Sequence, residues 1–172
     1  IMGMGVLGQY VTRQFTELGF QVKGWARSVK GIEAVEIFIG DAQLGEFLSD
    51  LDILICLLPL TKETRNILSK QLFNLLPEGA YLINVARGEH LVEEDLVEAI
   101  EQGRLSGACL DVFRTEPLPK NHPFWSNEKI VLTPHVASLT SVASVAPQIL
   151  KNYQRLEQGL PLRNEVVREK GY

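Results

Sequence analysis

The feature that most narrows the possible folds is a glycine pattern near the start of the chain, Gly3-Met4-Gly5-Val6-Leu7-Gly8, followed at once by a run with helical spacing. In G-x-G-x-x-G the first glycine permits a tight turn and the second lets the backbone approach a pyrophosphate. The third allows a helix to pack closely on a strand, and the helix N-terminus faces the anion with unpaired N–H groups. Val6, Val11, Phe15 and Leu18 recur near helical spacing, and Gly19 ends the run. A strand is expected next, over Phe20–Trp25. Glycines alone also occur in ordinary strand-to-helix turns; loop, amphipathic helix and second strand in that order read as a dinucleotide-binding unit. The chain opens at Ile1 with no run-in to the loop, so it reads as part of a longer chain with a truncated first strand.

The rest of the sequence alternates in the same way. Strands are expected over Val35–Ile39, Leu51–Leu58, Ala80–Val85, Leu105–Val112 and Lys129–Leu132. Helices are expected over Asp41–Leu48, from an N-cap at Ser69 through Leu76, over Glu93–Gln102 and over Leu139–Gln158. The Leu51–Leu58 run is almost continuously apolar, which suits a parallel strand covered on both faces. Strands alternating with helices at this spacing predict an α/β fold, a Rossmann-type parallel sheet with helices on both faces. The domain is expected to occupy residues 1–158, with 159–172 as a polar tail outside the sheet.

The end of the second strand bears on which dinucleotide is bound. A site for NAD places an Asp or Glu roughly 20 residues beyond the loop, to accept from the ribose hydroxyls. Here the sequence is Gly24-Trp25-Ala26-Arg27-Ser28, with no acid. A carboxylate would repel a 2′-phosphate, whereas Arg27 can hold one through charge-assisted bonds, with help from the Ser28 hydroxyl and from Lys30. The expected cofactor is therefore NADP(H).

Three later segments each follow an expected strand: Asn84-Val85-Ala86-Arg87-Gly88, Asp111-Val112-Phe113-Arg114-Thr115-Glu116-Pro117-Leu118, and Thr133-Pro134-His135-Val136-Ala137-Ser138. In an open parallel sheet such positions converge on the crevice at the carboxyl ends of the strands. An Arg, a Glu and a His gathered there can bind a carboxylate, orient an imidazole and move a proton. His90 and His122 have no such setting and read as surface or loop residues.

With these motifs in this order, the chain resembles the D-isomer-specific 2-hydroxyacid dehydrogenase family, most closely its bacterial reductases of glyoxylate and hydroxypyruvate. The resemblance implies that Arg87 grips the keto acid's carboxylate and polarises its carbonyl, that His135 is the acid/base, and that Glu116 pairs with it. It places Asp111 close to the nicotinamide carboxamide and Leu58 and Pro59 on a loop over the cofactor, which Thr64 reaches too. Val85 and Ala86 are expected against the cofactor, and Trp125 leans toward the rim of the substrate pocket rather than the core. It also implies a homodimer through the nucleotide domain, and a substrate domain to which the Leu162–Val166 segment returns. Without that second domain the chain is expected to have little activity.

Composition sets outer limits. A formal net charge of −4, with charged residues at 22%, argues against a general nucleic-acid surface. No apolar run approaches the roughly 20 residues needed to cross a bilayer. Cys56 and Cys109 sit singly in apolar runs, which fits reduced core thiols in a cytoplasmic protein and gives no metal spacing. Other readings compete with reduction of glyoxylate and hydroxypyruvate to glycolate and D-glycerate. They are a dehydrogenase of larger D-2-hydroxy acids, a non-catalytic nucleotide-sensing module, and a unit that serves dimerisation alone.

Overall fold

A computed structural model describes residues 1–28 and 35–166. Lys30 therefore lies outside the described residues. The elements run α1 (Val6–Glu17), β1 (Lys23–Ala26), β2 (Glu36–Ile39), α2 (Leu44–Leu48), β3 (Ile53–Cys56), α3 (Lys70–Phe73), β4 (Ala80–Asn84), α4 (Glu93–Glu101), β5 (Leu105–Leu110), β6 (Ile130–Leu132) and α5 (Val142–Glu157).

All strand pairs are parallel, β1 with β2 and then β3 with β4, β5 and β6 in order. Met2 joins the two groups. It bridges Trp25 on one side and Cys56 on the other, and its N–H donates to Ile55 O while its carbonyl accepts from Leu57 N–H, both at 2.8 Å. The spatial order is thus β2, β1, Met2, β3, β4, β5, β6. The chain enters in the middle of the sheet and then builds outward in both directions, which creates a switch point at the Gly3 loop.

Side chains alternate between the two faces of this sheet, as the period of two demands. Leu54, Cys56, Leu58, Ala80 and Leu82 enter the main core, with Phe47 and Leu48 from α2, Leu72 and Phe73 from α3, and Leu96 and Ile100 from α4. Ile55, Leu57, Ile83 and Val85 face the other way, toward Met4, Val11 and Phe15. The apolar spacing in α1 therefore exists to cover the opposite face from α2, α3 and α4.

Expected and observed elements agree in type and order, and the strands are shorter at their ends. Ser69 differs from its reading as a capping side chain. It occupies the N-cap position but makes no side-chain cap bond, and α3 is one turn long. Asp95 in the first turn of α4 supplies the acceptor instead, its Oδ2 receiving the Lys70 N–H at 2.8 Å. The partner that caps α3 is distant in sequence.

The chain divides into two compact units, Ile1–His135 and Val136–Tyr172. In the second, α5 carries the segment that follows it. Asn152 exchanges two bonds with the Arg163 backbone, and Arg155 donates to Pro161 O. Among the described residues no helix is long and apolar enough to cross a membrane, and no group of three acidic, His or Cys side chains could hold a metal.

Candidate functional site

The glycine loop runs from the single bridge residue Met2 into α1. Gly3 has φ 101°, in the left-handed region, and a Cβ there would stand 2.7 Å from Leu57 O. At Gly8 a Cβ would meet Gly3 O at 1.9 Å, so the first turn of α1 rests directly on the loop. Gly5 differs. Its φ is an ordinary −73°, and a Cβ would meet nothing within 4 Å. Among the described residues nothing needs Gly5 to be bare; the open space in front of it does fit a ligand that approaches the backbone. Val6 and Leu7 follow at the start of α1, both exposed.

Arg27 and Ser28 lie at the end of β1, adjacent to the loop across the Gly3 N–H to Trp25 O bond of 2.9 Å. The turn at Thr61–Arg65 lies within electrostatic reach of Arg27. The Glu63 carboxyl is held below its ordinary range chiefly by a bond from Thr61, with the charges of Arg27 and Lys62 adding to it. The sequence reading had not placed this turn beside Arg27.

Leu58 and Pro59 follow β3. Leu58 is buried in the main core, so its side chain serves packing and only its backbone is left to face a ligand. Thr64 is also buried, and its hydroxyl donates to Pro59 O at 2.7 Å while accepting from Thr61 N–H at 2.8 Å. That hydroxyl is occupied in holding the turn together.

The polar edge is assembled across β4, β5 and β6. After β4, buried Asn84 fixes the next turn: its Oδ1 accepts from Ala86 N–H at 3.2 Å and its Nδ2 donates to Arg87 O at 3.1 Å. Val85 is half-buried, Ala86 is buried and Arg87 is exposed. Gly88 then passes so close to the loop after β5 that a Cβ would lie 1.9 Å from Phe113 C. Phe113 N–H in turn donates to Glu116 Oε1 at 2.9 Å. After β6, the Thr133 hydroxyl donates to buried Asp111 at 2.5 Å. His135 adopts φ 54°, sparse for a non-glycine residue, with its N–H bonded to Thr133 O.

His135 Nδ1 stands 2.8 Å from Glu116 Oε2. Partial desolvation raises the Glu116 pKa, but the bonds from His135 and Phe113 N–H outweigh it and the net shift is downward. Glu116 is thus kept as a carboxylate, one oxygen on the backbone and the other on the imidazole. A chain of contacts therefore runs from Arg87 through Gly88 and Phe113 to Glu116 and His135, all on neighbouring strand ends.

Of the other histidines, His122 lies in a loop as expected and His90 departs from the sequence reading. His90 was expected at the surface or in a loop; it lies in a short 3-10 turn, Gly88–His90, but is fully buried. His122 is half-buried, accepts from Phe124 N–H at 3.4 Å, and faces Glu93 at 3.4 Å. Nothing in the local sequence marked His90 as interior, because one of its ring partners, Pro59, is distant along the chain. Trp125 stays out of the core, 57% exposed, its indole N–H bonded to Pro119 O.

The family model for the NAD-binding domain of D-isomer-specific 2-hydroxyacid dehydrogenases matches residues 1–137. A glyoxylate/hydroxypyruvate reductase A of Serratia proteamaculans is 51% identical over 159 residues, covering 92% of this chain and 51% of the relative. Among solved structures, an NADPH-dependent glyoxylate/hydroxypyruvate reductase of Sinorhizobium meliloti, in complex with NADP and sulfate, superposes with a TM-score of 0.95 at 41% identity, covering 99% of this chain and 55% of that one. A D-isomer-specific 2-hydroxyacid dehydrogenase of Xanthobacter autotrophicus, in complex with NADPH and MES, gives a TM-score of 0.95 at 40% identity, covering 99% and 71%. The chain spans about half the length of the curated relatives it matches.

Proposed function

The chain belongs to the D-isomer-specific 2-hydroxyacid dehydrogenase family, whose NAD-binding domain it carries, and from that premise we propose that it serves the NADPH-dependent reduction of a small 2-keto acid, glyoxylate or hydroxypyruvate, to the D-2-hydroxy acid. The observation that carries this reading is the His135–Glu116 pair at 2.8 Å on the same strand edge as the glycine cradle. The open space at Gly5 supports the dinucleotide, and an Arg at position 27 where the sequence at the end of β1 carries no acid supports the phosphorylated form. Relatives that carry the names and ligands given above support the choice of keto acid and of NADPH.

In this reading Gly3, Gly5 and Gly8 hold the pyrophosphate at the start of α1, and Arg27 with Ser28 holds the 2′-phosphate. The loop at Leu58–Pro59, Val85 and Ala86 border the cofactor, and Asp111, fixed by Thr133, faces the carboxamide. Bound NADPH supplies the hydride. Arg87 binds the keto acid's carboxylate with its planar fork and places positive charge near the carbonyl. His135 gives Nδ1–H to Glu116, which leaves Nε2 to hold the proton destined for the developing alkoxide. Such proton donation contributes typically about 10²–10⁴-fold. One hydride and one proton convert C=O to CH–OH, so the balance closes. The substrate domain, the return of residues 159–172 to it, and pairing of two nucleotide domains belong to the same proposal.

The test is a fluorescence titration with NADPH and NADH. NADPH is expected to bind more tightly, and Arg27→Ala to weaken NADPH about tenfold while leaving NADH nearly unchanged, the scale of one charge-assisted contact. Equal binding of both nucleotides by the unsubstituted chain would refute the phosphate assignment. Turnover of glyoxylate, hydroxypyruvate and phenylpyruvate by a full-length protein that includes the substrate domain then separates small from large substrates.

A further inference from the structure

His90 is fully buried and has no part in the chemistry above. Its ring stands between two turns. Nδ1 lies 3.1 Å from the carbonyl oxygen of Arg87, and Nε2 lies 3.3 Å from that of Pro59. One turn carries the arginine assigned to the keto acid, and the other carries the proline assigned to the cofactor side. Backbone bonds zip the following segments together: Asn66 N–H to Glu89 O, Leu68 N–H to His90 O, and Val92 N–H to Leu68 O, each at 2.9 Å.

Counting donors decides which contact the ring makes. A neutral imidazole has one N–H, and a carbonyl oxygen has two lone pairs. Arg87 O already receives Asn84 Nδ2 at 3.1 Å and the His90 backbone N–H at 3.2 Å. Pro59 O receives the Thr64 hydroxyl at 2.7 Å, which leaves one lone pair for the ring. Burial is the largest influence on the imidazole and lowers its pKa, against the pull of the Pro59 and Arg87 carbonyls and the Glu89 charge and with the repulsion of Arg87. The ring is neutral, and its single proton belongs on the side of the unsaturated acceptor.

We propose that His90 is a positioning residue whose Nε2–H, donated to Pro59 O, holds the cofactor-side turn at a fixed spacing from the Arg87 turn. This deepens the NADPH-reductase reading and rests on it. A side chain that merely filled the core would need shape alone; a strut of this kind needs a donor at one ring position.

Three substitutions separate the two. The Gln amide nitrogen reproduces Nε2, that of Asn reproduces Nδ1, and Phe keeps the volume with neither donor. The full chain and its variants are titrated with NADPH, with a thermal midpoint measured for each. His90→Gln is expected to bind within about twofold of the unsubstituted protein, and His90→Asn and His90→Phe about tenfold more weakly, the scale of one hydrogen bond. Rescue by Gln and not by Asn is a pattern that loss of packing does not produce, since both amides alter the midpoint. Equal affinities in all variants, equal weakening in all, or rescue by Asn instead of Gln would each overturn the proposal. If His90→Phe does not fold, the Gln and Asn pair decides alone. Failure of the unsubstituted protein to bind NADPH would overturn the functional reading itself, and this role with it.

Discussion

The glycine loop at Gly3–Gly8 and the polar edge from Arg87 to His135 both lie at the carboxyl ends of strands, and they reach their geometry by different means. The loop is built from missing side chains: Gly3 approaches Leu57 O, Gly8 rests on Gly3 O, and no side-chain bond caps α1. The edge is built mostly from side-chain ties, Asn84 to Arg87 within the turn after β4, and Thr133 to Asp111 and Glu116 to His135 between the ends of β5 and β6. Gly88 is the exception on the edge, a bare position where two loops touch. Backbone-on-backbone contact tolerates no added atom, whereas a side-chain tie can be loosened. The comparison therefore predicts brittle behaviour at the loop and at Gly88, and graded behaviour elsewhere on the edge.

The largest effects are expected where a methyl group would enter backbone. Gly8→Ala and Gly88→Ala place Cβ 1.9 Å from Gly3 O and Phe113 C respectively, and neither can rotate away. Each should cost at least about 3 kcal/mol, a large share of the stability of an ordinary domain. Urea midpoints close to that of the unsubstituted protein would contradict the rigid contact. Next comes Thr133→Val, which removes the hydroxyl donor from the buried Asp111 carboxylate and should cost about 2 kcal/mol in the same assay. A value near zero would mean that the remaining partners of Asp111 carry it alone.

Smaller effects depend on pH. His90 has a folded pKa below its ordinary 6.5, so the unfolded chain binds the proton more readily. Its contribution is complete above that value and is lost as the pH falls below it. His90→Gln should therefore flatten the stability curve between pH 6.5 and more acid conditions, read from thermal midpoints. Glu116 is also shifted downward, but as a carboxylate it contributes above its ordinary 4.5, and that contribution fades as pH falls through the lower folded value. Glu116→Gln should remove only this acid limb, and the effect should be slight because the pair is partly exposed.

Gly5→Ala is expected to change stability least, within about 0.5 kcal/mol, because the added methyl meets only open space. Its nucleotide affinity should nevertheless fall sharply if that space holds a pyrophosphate. A tenfold loss of NADPH binding at an unchanged midpoint would separate a glycine kept for a ligand from the two kept for the fold. Unchanged binding would refute the assignment of Gly5 to the cofactor.

The sequence alone determined whatever depends on near neighbours along the chain. Gly3-x-Gly5-x-x-Gly8 with the spacing of Val11 and Phe15 specified loop and helix, and the apolar run at Leu51–Leu58 specified an interior parallel strand. The absence of an acid after Trp25 was legible because the relevant position is a fixed distance from the loop. Arg87, Glu116 and His135 stood out as candidates only because three motifs, each ambiguous alone, occur in family order after successive strands. Only the tertiary structure decided which groups meet: that Asp95 rather than Ser69 caps α3, that Thr64 turns its hydroxyl to Pro59, and that His90 is enclosed. Local propensity acts over a few residues, whereas burial and hydrogen-bond partners are set by which strands lie side by side. His90 is bonded across 31 positions of sequence, and no local pattern encodes a partner that far away.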